Sequence, residues 1–168
     1  MSDRFDKITG KVRLFGDDVN TDQIIQGRYL TLLDYSEMAK HTFEVVRPNF
    51  VNEMERGDVV IAGRNFGSGS SREEAPMVLK EVGISCVIAE SFSRIFYRNA
   101  FNIGLPALIV PGITEHIKEG QTVEINLADG LVQIKEMQEE IRGDCIPDRM
   151  LSLLRAGGAV AWYKQQKQ

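Results

Sequence analysis

Three short apolar runs, residues 58–62 (DVVIA), 84–89 (ISCVIA) and 105–110 (LPALIV), alternate with two helix-length segments, residues 75–82 and 93–102. Gly83 and Gly104 follow those segments, where a glycine can take the left-handed cap conformation. Strand, helix, strand, helix, strand in this order implies parallel pairing through right-handed crossovers. Further strands are expected at residues 11–15, 122–127 and 131–135, the last two joined by a hairpin at Ala128-Asp129-Gly130, where Asp-Gly supplies positive φ. Helical signals also cover residues 35–43 and residues 147–156, the latter opened by Pro147 and closed by Gly157. A mixed α/β domain follows, compatible with three layers.

With 168 residues the chain suffices for one domain able to bury roughly 70% of its unfolded-state surface. Repeats, low-complexity segments and Pro-rich linkers are missing from the sequence, so residues 1–168 are expected to form a single domain, with residues 164–168 a polar, frayed tail. Twenty Lys and Arg stand against 24 Asp and Glu, net charge −4, without a basic cluster, which argues against nucleic acid as a partner. The start, MSDRFDKITG, has no apolar core of a signal peptide, and no apolar stretch approaches membrane-spanning length. A cytoplasmic protein that does not cross a membrane is expected. Cys86 and Cys145 are the only cysteines, too few for a disulfide framework or for holding an iron–sulfur cluster. His41 and His116 are the only histidines, and neither lies in a recognisable hydrolase or metal-binding setting.

Residues 63–74, GRNFGSGSSREE, follow an apolar strand and precede a helix. Glycines allow close approach of backbone N–H groups to a ligand, and a helix start favours an anion, either carboxylate or phosphate. The segment matches neither a P-loop, since no Lys follows the glycines, nor a dinucleotide fingerprint, since Arg72 stands where Gly or Ala is needed. A purely structural reading also stands: a turn with Ser71 capping the next helix and Glu74 closing a capping box. Pro76 then requires that helix to begin near Ala75. Residues 16–25, GDDVNTDQII, are rich in Asp and Asn and read either as an Asx-type turn or as a polar site loop; the spacing of a calcium-binding EF-hand is absent.

Taken together, GDDVNTDQII, GRYL, GRNFGSGSSREEAP and SFSRIFYRNAFNIGLPAL resemble the small subunits of 3-isopropylmalate dehydratase, relatives of the swivelling C-terminal domain of aconitase. The resemblance runs in order from about residue 11 to residue 111 and more loosely to AGGAVAWY. It implies a three-layer β/β/α swivelling domain with a mixed sheet. It also implies a large-subunit partner carrying a [4Fe–4S] cluster, no cofactor bound by this chain, and a site completed at the interface. The implied reaction interconverts 2-isopropylmalate and 3-isopropylmalate by dehydration and rehydration through isopropylmaleate, in leucine biosynthesis, with the partner's iron acting as Lewis acid. The small dicarboxylate substrate would meet Ser70 as general base, Arg72 as carboxylate grip, and Ser71 and Gly69 as donors. Asp22 would orient a positive group, and Tyr29, Leu30, Thr31 and Leu32 would read the substrate's variable group. Arg64 and Asn65 are further candidates without an assigned role. Relatives acting on homoaconitate look to carry Arg at the position of Thr31, so an apolar group is favoured here over a third carboxylate. Homoaconitase, 2,3-dimethylmalate dehydratase and a stand-alone anion-binding module are the alternatives.

Overall fold

A computed structural model describes residues 7–168. Its strands are β1 (Lys7–Leu14), β2 (Val59–Ala62), β3 (Cys86–Ala89), β4 (Ala107–Ile109), β5 (Thr122–Asn126), β6 (Leu131–Ile134) and β7 (Glu139–Arg142). They form one seven-stranded mixed sheet in the order β4-β3-β2-β1-β5-β6-β7. The helices are α1 (Thr21–Ile24), α2 (Tyr35–Ala39), α3 (Phe50–Glu53), α4 (Glu74–Val82), α5 (Arg94–Asn102), α6 (Asp148–Ala156) and α7 (Ala159–Gln166).

Every residue of β2 and β3 is buried, as parallel strands covered on both faces must be. Val60 pairs with Val87, and Ile88 with Leu108, in parallel register. By contrast β5 and β6 alternate half-buried and buried positions, so only one face meets the core. The two regimes meet in β1. Its first half, from Lys7 to Lys11, pairs antiparallel with β5, and its second half, from Val12 to Leu14, pairs parallel with β2. Asp58, buried just before β2, accepts from Arg13 Nε at 2.7 Å and from the Glu55 N–H at 2.9 Å, so its charge is not left unpaired.

Several expectations are corrected. The helix expected over residues 35–43 stops at Ala39, and residues 40–46 continue as turns. Phe43 causes the break: it adopts φ 57°, its N–H donates to the Ile24 carbonyl at 2.9 Å, and its ring is fully buried between Phe15 and Phe50. Burial of an aromatic ring outweighs another turn of helix. The β5–β6 hairpin pairs Asn126 with Leu131, so residues 127–130 make a four-residue loop in which Gly130, and not Asp129, has positive φ. β7, EEIR, lacks an apolar alternation and forms by completing the ladder along β6. α7 runs to Gln166 and packs against α6 and α5. Among the described residues no helix is long and apolar enough to cross a membrane.

Candidate active site

Three segments leave the carboxyl ends of adjacent parallel strands: residues 15–22 after β1, 63–73 after β2 and 90–93 after β3. Ligands of open α/β sheets bind in this position. The segments are laced together by backbone. The Gly67 N–H donates to the Val19 carbonyl at 2.7 Å, and the Thr21 N–H to the Ser68 carbonyl at 2.8 Å, forming a parallel bridge between Asn20 and Ser68. On the other side the Phe66 N–H donates to Ser91 O, and the Ser93 N–H returns to Phe66 O. Phe66, fully buried, meets Phe92 and Phe96 edge-on at 6.0 and 5.1 Å, which seats the Gly/Ser loop on α5.

The two motifs that are separate in sequence therefore form one site. Thr21, 3% exposed, donates its hydroxyl to the Ser70 carbonyl at 3.0 Å, fixing the backbone that carries Ser70. Arg72 Nη1 donates to the Asp22 carboxylate and, at 3.1 Å, to the Ile25 carbonyl. The arginine is 17% exposed and the aspartate 64% exposed, so Asp22 orients a guanidinium sunk into the site wall. Nε and Nη2 of Arg72 make no hydrogen bond among the described residues. One edge of the planar fork thus stays free. A Cβ at Gly27 would stand 3.4 Å from Nη2, an ordinary contact, so the Gly27 backbone lies beside that edge.

Ser70 and Ser71 are exposed, and their hydroxyls make no hydrogen bond among the described residues. The capping box expected between Ser71 and Glu74 is not formed. The N-cap of α4 is Glu73, with helical backbone and no side-chain cap, because Arg72 is drawn to Asp22 and Ile25 and carries Ser71 out of capping range. The real capping box is in α1, where Asn20 accepts from the Gln23 N–H and the Gln23 side chain accepts from the Asn20 N–H. Pro76 falls in the first turn of α4, where its missing N–H is not needed. Arg64 and Asn65 brace the site from behind: the Arg64 N–H donates to Asp17 Oδ1 at 2.7 Å, and the Asn65 amide to Asp18 Oδ1 at 3.1 Å.

Tyr29 to Leu32 divide in two. Tyr29 and Leu30 are half-buried and pack on the core, whereas Thr31 and Leu32 are exposed. Leu33 is fully exposed. A cleft of about 390 Å³ between α5 and α6, lined by Arg94, Tyr97, Arg98 and Met150 among others, contains none of these residues; the site is an open face. Thr21 was not picked out by sequence reasoning, although it lies inside the NTDQ motif that signalled the loop.

Cys86 lies fully buried in β3, its thiol pushed up by burial, and Cys145 is exposed on a distant segment. Among the described residues no group of three His, Cys, Asp or Glu could hold a metal. The residues of this chain do not fit an iron–sulfur cluster.

A mixed α/β domain with a Gly/Ser loop at the strand ends defines the class, and residues 3–111 match the family described as Aconitase C-terminal domain. The 3-isopropylmalate dehydratase small subunit 1 of Methanopyrus kandleri is 49% identical over 161 residues, 96% of this chain and 95% of that protein. The isopropylmalate/citramalate isomerase small subunit of Methanocaldococcus jannaschii is 44% identical over 159 residues, 95% of each chain. A crystal structure of 3-isopropylmalate dehydratase from that organism matches with a TM-score of 0.91 at 43% identity, covering 96% of this chain and 95% of that one. The chain belongs to the 3-isopropylmalate dehydratase small-subunit family, within the wider aconitase C-terminal domain family.

Proposed function

We propose that this chain is the small subunit of a heteromeric, cytoplasmic hydro-lyase that interconverts 2-isopropylmalate and 3-isopropylmalate through isopropylmaleate, a step of leucine biosynthesis. The observation that carries the reading is the Arg72 guanidinium, held by Asp22 and Ile25 with one donor edge free beside the exposed Ser70–Ser71 pair. Arg72 grips one substrate carboxylate bidentately, Ser71 and the Gly69 N–H donate to the bound dicarboxylate, and Asp22 fixes the angle of the fork. Ser70 takes the proton from the carbon next to a carboxylate.

A serine hydroxyl is a very weak acid, and among the described residues no side chain hydrogen-bonds the Ser70 hydroxyl, which supports a site completed by a large subunit. A [4Fe–4S] cluster in that partner would supply the Lewis-acid chemistry, since Cys86 and Cys145 are too few to hold one. The exposed Leu32, Leu33 and Tyr35 flanking the site support a face that is covered in the working assembly. Thr31 and Leu32 offer no cation to a third carboxylate, which favours an alkyl group on the substrate.

The test is co-expression with a large subunit, anaerobic purification and an ultraviolet assay for the unsaturated intermediate with 2-isopropylmalate and homoaconitate side by side. Ser70→Ala is expected to lower turnover by about 10²–10⁴-fold with co-purification of the large subunit unchanged. Full activity of that variant refutes Ser70 as the base. Thr31→Arg should move preference toward homoaconitate, and turnover of homoaconitate by the unaltered complex would overturn the substrate assignment.

A further inference from the structure

The loop bearing Thr31 and Leu32 is tied down by very little backbone. Its own hydrogen bonds are local: Tyr29 N–H to Gln26 O, Leu30 N–H to Gly27 O, Leu32 N–H to Tyr29 O, and the Thr31 hydroxyl to Arg28 O at 3.4 Å. What reaches out of the loop are the Leu30 side chain, packed on the core, and the Tyr29 ring. That ring lies flat on the His41 imidazole, ring centroids 3.7 Å apart and planes 7° from parallel. The Arg28 guanidinium also stands over Tyr29, 4.7 Å from its centroid and 4.0 Å from the Glu44 carboxylate.

His41 is itself on a rigid support. Met38, Thr42 and Phe43 around it are buried, the Thr42 hydroxyl donates to Ala39 O at 2.7 Å, and Phe43 is bonded to Ile24 at the end of α1. Glu44 faces His41 Nδ1 at 3.3 Å and the Arg28 guanidinium at 4.0 Å, so it links His41 to the residue that stands over Tyr29. The nearby Tyr29 hydroxyl leads in holding the Glu44 carboxyl below its ordinary value, and Glu44 leads in raising the Tyr29 hydroxyl.

We propose that His41 is a positioning residue for substrate selection: stacked on Tyr29, it clamps residues 29–32 in the arrangement that meets the substrate's alkyl group. This rests on the proposed role of that loop. The imidazole touches no substrate; it sets the fraction of molecules whose loop is in the binding-competent arrangement, and apparent affinity falls with that fraction.

The experiment compares His41→Ala, His41→Phe and unaltered protein in complex with the large subunit. His41→Ala is expected to raise KM for 2-isopropylmalate about five-fold, the equivalent of one lost aromatic contact, with kcat within about two-fold. His41→Phe, which keeps a flat ring without Nδ1, should recover most of that loss. Amide hydrogen exchange of residues 27–33, measured on the chain alone, should be faster in His41→Ala and near normal in His41→Phe. Unchanged exchange overturns the clamp whatever the substrate proves to be. Faster exchange with unchanged KM, or an equal fall of kcat in both variants, overturns the selectivity role. An unaltered complex inactive on 2-isopropylmalate refutes the proposed function instead, and the exchange comparison still decides the clamp.

Discussion

Gly67 is the point at which the Gly/Ser loop rests on the core, and its replacement by Ala tests that seating quantitatively. Its φ is +83°, and an added Cβ would lie 2.3 Å from Cβ and Cγ of Phe96, the root of a buried ring that cannot swing away. The left-handed conformation costs an L-residue about 1–2 kcal/mol, and forcing a methyl into a packed core about 1–3 kcal/mol more. Gly67→Ala should therefore lose about 2–5 kcal/mol, read as a fall of about 1–2.5 M in the urea midpoint for an m of about 2 kcal/mol/M. Gly69→Ala is the internal control. Its φ is +96°, but its Cβ would meet nothing closer than Thr21 Oγ1 at 3.4 Å, an ordinary contact. Backbone strain alone, about 1–2 kcal/mol, is expected there. The difference between the two variants isolates the contact with Phe96. Equal losses, or a Gly67→Ala loss under about 1 kcal/mol, would refute the claim that this loop is seated on α5.

Arg72→Ala should weaken substrate binding by about 10- to 100-fold through loss of a charge-assisted pair, and free the loop that contains Ile25, seen as faster amide exchange near residues 25–27. Unchanged KM would remove Arg72 from the site. Burial pushes the Glu119 carboxyl up, but Arg47, the Leu14 N–H and Arg13 together hold it below its ordinary value. Its stabilising contribution is thus complete above the unfolded carboxylate value of about 4.3 and disappears as pH falls through the lower folded value. Glu119→Gln should flatten the acid limb of stability against pH, and an unaltered limb would contradict the pairing. Iodoacetamide should label Cys145 alone in the native protein and both cysteines in urea, since Cys86 is buried and its thiol is pushed up by that burial. Native labelling of Cys86 would contradict the burial of β3.

The buried parallel strands were legible because β2 and β3 are apolar at every position and bounded by helical signals. β7 was not, because EEIR takes its conformation from the neighbouring strand and not from its own pattern. Within the site, each motif could be read by itself, and the resemblance to a family assigned roles to Ser70, Arg72 and Asp22. Spacing alone misplaced the capping box. A serine three residues before a glutamate satisfies the pattern at Ser71, yet Arg72 is held by partners about fifty residues upstream, and that long-range pull decides the local geometry. The stacking of Tyr29 on His41 depends on Phe43 breaking α2, which no local periodicity signals.

The division of β1 between two neighbours sets the order in which the chain can be completed during synthesis. Its second half finds β2 once residue 61 has emerged, but its first half has no partner until residues 122–126 are available. At about 5–20 residues per second, that first half waits on the order of ten seconds as an unpaired edge. An exposed strand edge invites pairing with other chains. Lys7 and Lys11, at either end of that waiting stretch, put charge where a foreign strand would have to dock, so the two ends of this strand serve the nascent chain as well as the finished one.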